Sequence, residues 1–163
     1  MGTGNTGCTT HARWIAVLRI LVGILFVHAG WPKLIMLFSN PAYVGGMLEK
    51  MAKAAWPPVY AHFLTNFAVP HAQLFGALVA LGEVAVGIGL ILGLLTRVSA
   101  FFGAVMNINY LFAIYKISPG FLSSNNFWFT VLHIVFIGTA AGRAWGLDAL
   151  LMPRLPKWLR WLG

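Results

Sequence analysis

Acidic side chains are the scarcest feature of this chain. Three Asp and Glu stand against eleven Lys and Arg in 163 residues, and charged residues of both signs make up only 9%. A water-soluble domain averages about 25% charged residues, so an ordinary soluble surface is excluded. Cysteine is nearly absent as well. The single Cys8 excludes an internal disulfide and a C-x-x-C redox pair, and with them thiol–disulfide catalysis by this chain alone. No Ser/His/Asp set, phosphate-cradling glycine loop or zinc-ligand spacing occurs, and no metal site is expected. The net charge of +8 does not imply a nucleic-acid partner either. The basic residues stand singly between apolar runs instead of gathering on one face. The first apolar run is long and lacks a small-residue cleavage site, so it is expected to remain in the protein.

What is abundant is hydrophobic and aromatic, at 60% and 14% of the chain. The central run, Phe75 to Leu95, holds one carboxylate, Glu83, near its middle. At 1.5 Å per residue it reaches about 31 Å, which matches the ~30 Å hydrocarbon core of a bilayer. Similar runs predict further spans, giving 14–37, 75–95, 98–115 and 122–141. The expected fold is all-α: one domain, residues 1–163, built as an integral membrane four-helix up-down bundle. Gly30-Trp31-Pro32-Lys33 is expected to end the first helix near Gly30 to Leu34. The 38–70 loop reads as two short amphipathic helices lying in the membrane interface. The C-terminal tail, with Trp and Leu alternating with Arg and Lys, reads as an interfacial anchor. Residues 1–12, small and polar, are expected to be loose.

Orientation follows from the basic residues. Arg13, Arg19, Arg97, Arg143, Arg154, Lys157 and Arg160 fall on one side; Lys33, Lys50, Lys53 and Lys116 fall on the other. The richer side is cytoplasmic, which places both termini there.

An ionisable group at mid-membrane depth is costly and normally faces a polar partner. Counted along the spans from the cytoplasmic end, Arg19 lies at roughly 8–9 Å, Glu83 at roughly 18 Å and His28 at roughly 21 Å. Asn107 and His133 lie at roughly 12–17 Å. Arg19, Gly23, Phe26, Gly30 and Lys33 share one stripe of the first span; Gly76, Ala80, Glu83 and Gly87 share one of the second. Small residues beside a charge permit close helix approach, so the two stripes are expected to meet, with Arg19 neutralising Glu83. That pair is either a structural clamp or a proton or ligand site. His28 falls on the opposite face of its helix and reads as a packing histidine, with a quinone or pigment contact as the alternative. His133 reads likewise, and a haem shared by the two is disfavoured by their different depths. Of Asn107 and Asn109, which point apart, Asn107 is expected to face the interior. Arg97 reads as a topology anchor able to hold an anionic headgroup.

Three blocks carry a family resemblance. Arg19-Ile-Leu-Val-Gly23-Ile-Leu-Phe26, followed by Gly30-Trp-Pro-Lys33-Leu34, resembles the opening pattern of the DoxX/DoxD-like membrane proteins. Gly82-Glu83 with Gly87 and Leu92-Gly93-Leu94-Leu95-Thr96-Arg97 is similar to that family's second signature. Gly142-Arg143-Ala-Trp-Gly-Leu147-Asp148 is similar to its C-terminal element. The resemblance implies a four-helix membrane protein associated with redox systems, among them a subunit of thiosulfate:quinone oxidoreductase. On this reading the chain is an accessory membrane subunit of a larger redox or electron-transfer complex, respiratory or photosynthetic, and not catalytic on its own. Its partners would be lipids and other membrane subunits, in a bacterial or archaeal cytoplasmic membrane. The competing readings are a quinone-linked oxidoreductase subunit that uses Glu83 and Arg19 near the quinone, and a small-molecule or metal carrier.

Overall fold

A computed structural model describes residues 6–118 and 120–163, with side chains omitted for residues 6–10 and 41. The elements among the described residues are helical: α1 (Thr6–Ser39), α2 (Pro41–Ala54), α3 (Pro58–Phe63) running into a π-helical turn (Leu64–Ala68), α4 (Ala72–Leu92), α5 (Thr96–Ala113), α6 (Asn125–Thr139) and α7 (Asp148–Leu151). Short 3₁₀ turns at Ala141–Arg143, Met152–Arg154 and Lys157–Leu162 flank α7. The expected loose start lies partly outside the described residues, and from Thr6 onward the chain is already helical.

Within α1 and α4, His11–Ser39 and Ala72–Leu92 are long and apolar enough to cross a membrane. At 18 and 15 residues, α5 and α6 reach only about 27 and 22 Å. Side by side, α1 lies along α4 and α5 along α6, while α4 also contacts α5 and α6 touches α1. The α1–α4 pair is antiparallel and very close. A Cβ placed on Gly23 would come 2.8 Å from the carbonyl oxygen of Gly87, and one on Gly87 would come 2.7 Å from that of Gly23. The two small-residue stripes do meet. Val22, Phe26, Val86, Leu90, Ala100 and Phe136 form the core between the four helices.

The first helix does not end at Gly30–Leu34. It continues through Pro32 to Ser39. Tertiary contact outweighs local propensity here, because Gly30 fits against the Cβ of Glu83 and Lys33 is tied to the Glu83 carboxylate. The 38–70 connection forms two helical segments, as its periodicity predicts. They sit over a second apolar cluster, Ala52, Ala55, Leu64, Ala68 and Ala113. Two backbone hydrogen bonds, Trp56 N–H to Phe112 O (3.0 Å) and Lys116 N–H to Ala54 O (2.9 Å), bind this connection to the end of α5.

Candidate functional site

Glu83 lies in the buried stripe of α4 with only 4% of its surface exposed. Its partner is Lys33, not Arg19. From the far end of α1 the Lys33 ammonium reaches to 2.5 Å from Glu83 Oε1. It also donates to the Tyr110 hydroxyl of α5 at 2.9 Å, and that hydroxyl donates to the same Glu83 oxygen at 2.8 Å. The ammonium stands 4.9 Å from the Tyr110 ring centroid, adding a cation–π contact. Three helices thus contribute one residue each to a closed triangle of charge-assisted hydrogen bonds. The second carboxylate oxygen, Glu83 Oε2, is buried and has no partner among the described residues.

The triangle borders two voids, both mainly apolar, one of which carries more polar groups. On one side is a cavity of 210 Å³ whose walls include Glu83, Asn107, Asn126 and Met106. Asn107 donates to the Gly103 carbonyl at 2.8 Å. On the other side is a narrower, nearly wholly apolar cavity of 90 Å³ roofed by α2. Lys33 and Tyr110 belong to the walls of both.

Arg19 serves a different place. Opposite it on the antiparallel α4 are the residues near Gly93, about ten positions beyond Glu83, so an arginine side chain cannot bridge the gap. It is fully buried, with Nη2 donating to the carbonyl of Trp145 at 3.0 Å. Its guanidinium lies directly against Gly93 and Gly146, where a Cβ on Gly93 would collide with it. Beside it the fully buried Asp148 accepts the N–H groups of Leu95 (2.7 Å) and Thr96 (2.9 Å) and so caps the start of α5. The Gly93–Leu95 turn also removes Arg97 from the face of Glu83. Arg97 stands on α5, where Nη1 donates to the Trp161 carbonyl at 3.3 Å.

His133 is fully buried. Its Nδ1 lies 2.6 Å from the Phe129 carbonyl, its ring packs edge-on to Phe26, and Nε2 has no partner among the described residues. Gly103 leaves the room it occupies. His28 is exposed on the outer face of α1, so the two imidazoles do not face each other. Sequence reasoning missed both Lys33 and Tyr110 as site residues. The signal for Lys33 was present, since it falls on the stripe of Gly23, Phe26 and Gly30 that meets α4. For Tyr110 no comparable signal exists, because a tyrosine among apolar residues looks the same whether or not its hydroxyl has a partner.

Neither the curated proteins nor the solved structures contain a match to this chain. The family described as "TQO small subunit DoxD" matches residues 14–162. These residues take in both the Glu83 triangle and the Arg19–Asp148 corner, and the chain belongs to the DoxD family.

Proposed function

We propose that this chain is the membrane-embedded small subunit of a quinone-linked oxidoreductase of the thiosulfate:quinone type, and that the Lys33–Glu83–Tyr110 triangle is where it meets the quinone. The family supports the class of complex. The triangle carries the assignment to these residues: a buried carboxylate with one oxygen unpaired among the described residues, beside a nearly wholly apolar void and a second void that adds the amides of Asn107 and Asn126. The exterior supports four crossings. Leu21 and Ile24 on α1, Leu78 and Leu81 on α4, Phe101 on α5 and Ile134 on α6 are each about half exposed or more. That is far more outward apolar surface than a soluble monomer tolerates. We place the termini on the cytoplasmic side, which the excess of basic residues there supports.

Reduction of a quinone to a quinol needs two electrons and two protons. The electrons come from the partner subunit that oxidises the sulfur substrate. This chain binds the ring and delivers protons. Lys33 Nζ, with one N–H beyond those given to Glu83 and Tyr110, is the donor toward a quinone carbonyl on the apolar side, and Tyr110, whose one hydroxyl proton goes to Glu83, holds the pair in place. Glu83, which also lines the cavity carrying Asn107 and Asn126, returns protons to Lys33. Arg19, tied up in the corner near Gly93, has no part in this chemistry.

The test is Glu83→Gln in the assembled complex. Quinone-linked turnover should fall by about a hundredfold or more, the lower end of what a positioned acid–base group contributes, while oxidation of the sulfur substrate with an artificial acceptor and assembly of the complex persist. Unchanged quinone turnover would remove Glu83 from the reaction.

A further inference from the structure

The apolar cavity on the outer side of the triangle does not end there. Its walls are Met36 and Leu37 of α1, Val44 and Met47 of α2, and Gly76 and Val79 of α4, with Lys33 and Tyr110 at its inner end. A further cavity of 170 Å³ shares Leu48, Met51, Phe75, Val79 and Tyr110 with it and continues beneath the π-helical turn to Leu64 and Ala68. The two mainly apolar cavities therefore adjoin across these shared walls, and Tyr110 borders both. Gly76 sets the width of the first: a Cβ there would come 2.6 Å from Val44 Cγ1, so α2 lies as close to α4 as a glycine permits. The methionines along the walls, Met36, Met47, Met51 and Met106, are unbranched and adapt to a branched chain better than β-branched residues would.

We propose that the two cavities together form a passage that holds the prenyl tail of the quinone, and that α2 is the element that selects tailed over tailless ligands. This rests on the reading of the triangle as the quinone site and adds to it the chemical class of ligand. A ring alone would fill only the donor end. A prenyl chain attached to the ring would lie along Met47, Val79 and Met51 and replace empty contact surface with packed methyl groups. A passage bounded by side chains of α1, α2, α4 and α5 suits a chain of fixed branching, whereas the outward faces of α1 and α4 suffice for ordinary acyl lipid.

The experiment measures binding to the full-length chain in nanodiscs. A benzoquinone with a short prenyl tail and the same ring without a tail are titrated by quenching of tryptophan fluorescence. The tailed compound should bind at least about tenfold tighter, given the apolar surface its tail removes from water. Met47→Trp, which fills the passage, should abolish that advantage and leave binding of the tailless ring unchanged. Val79→Phe fills it from the α4 side and should act the same way, which guards against one variant failing through local misfolding. Equal affinity of the two compounds for the native chain, or an advantage that survives both variants, would overturn the tail assignment while leaving the triangle as the ring site. Binding of neither compound would overturn both readings. Competition by a saturated alkyl lipid as effective as the tailed quinone would make the passage a general lipid groove and also overturn the proposal.

Discussion

A carboxylate at the centre of a hydrophobic helix is stable only in company, and in this protein the company is specific. Glu83 receives two donors on one oxygen, so removing either partner should be felt differently. Lys33→Met leaves a buried charge without its cation. Because the Lys33 side chain keeps 32% of its exposure, the expected loss is about 2–3 kcal/mol, below the ~3–5 typical of wholly buried pairs. A Lys33→Met, Glu83→Leu double variant should regain most of it, since removing both charges removes the desolvation penalty as well. Equilibrium unfolding in mixed micelles measures this, and equal stability of single and double variants would show that the ion pair does not stabilise the fold. Residue identity alone made Glu83 legible: it is the one acid in a long apolar run. Its partner was not, because Arg19 and Lys33 share the same face of α1 and only the antiparallel register decides between them. That register brings Gly30 opposite Glu83, one turn from Lys33 and three turns from Arg19.

Among the elements, α1 and α4 depend most on the absence of side chains. With the Gly23 and Gly87 backbones in contact, Gly23→Leu should force the helices apart and cost at least the ~1–3 kcal/mol of an overpacked core. It should also separate Lys33 from Glu83, so quinone binding and stability would fall together. A Gly45→Leu control, at a position whose nearest neighbour is 4.0 Å from a built Cβ, should change neither. Helix existence was readable from apolar runs and their spacing, but helix ends were not. Gly30-Trp31-Pro32 looks like a stop and is overridden by packing. The real stops lie elsewhere: Gly93, at φ 62°, ends α4, and Leu95, at φ 47°, opens α5 in a left-handed conformation that a branched-chain residue adopts only under constraint. The constraint is Asp148, some fifty residues later, whose carboxylate takes the N–H groups of Leu95 and Thr96. A long-range cap of this kind leaves no local trace. Asp148→Ala should destabilise by about 2 kcal/mol or more, since two buried N–H groups lose their acceptor, and hydrogen exchange should rise first at the start of α5.

At the scale of the whole molecule, orientation is the open physical consequence of charge. Arg97, Arg143, Arg154, Lys157 and Arg160 gather around the α4–α5 turn and the C-terminal segment. Arg97 and Arg143 donate to backbone carbonyls of that segment, Trp161 and Arg160. The exposed indoles of Trp158 and Trp161 lie in the same stretch. This end should rest in the cytoplasmic headgroup layer, with Lys50, Lys53 and Lys116 on the far side. A cysteine introduced at Lys157 in a Cys8→Ser background should resist a membrane-impermeant maleimide in intact cells, and one at Lys50 should react. The reverse pattern would refute this orientation, and labelling of both would refute the four-crossing arrangement.

The contact between Arg19 and Trp145 also has a consequence for how the protein is made. The two residues lie 126 positions apart, and at ~5–20 residues per second the ribosome needs on the order of ten seconds to supply the second after the first. Through that interval the first helix carries an arginine whose final acceptor does not yet exist. If the first helix inserts as it emerges, its guanidinium is expected to stay near the headgroups until the segment carrying Trp145 arrives.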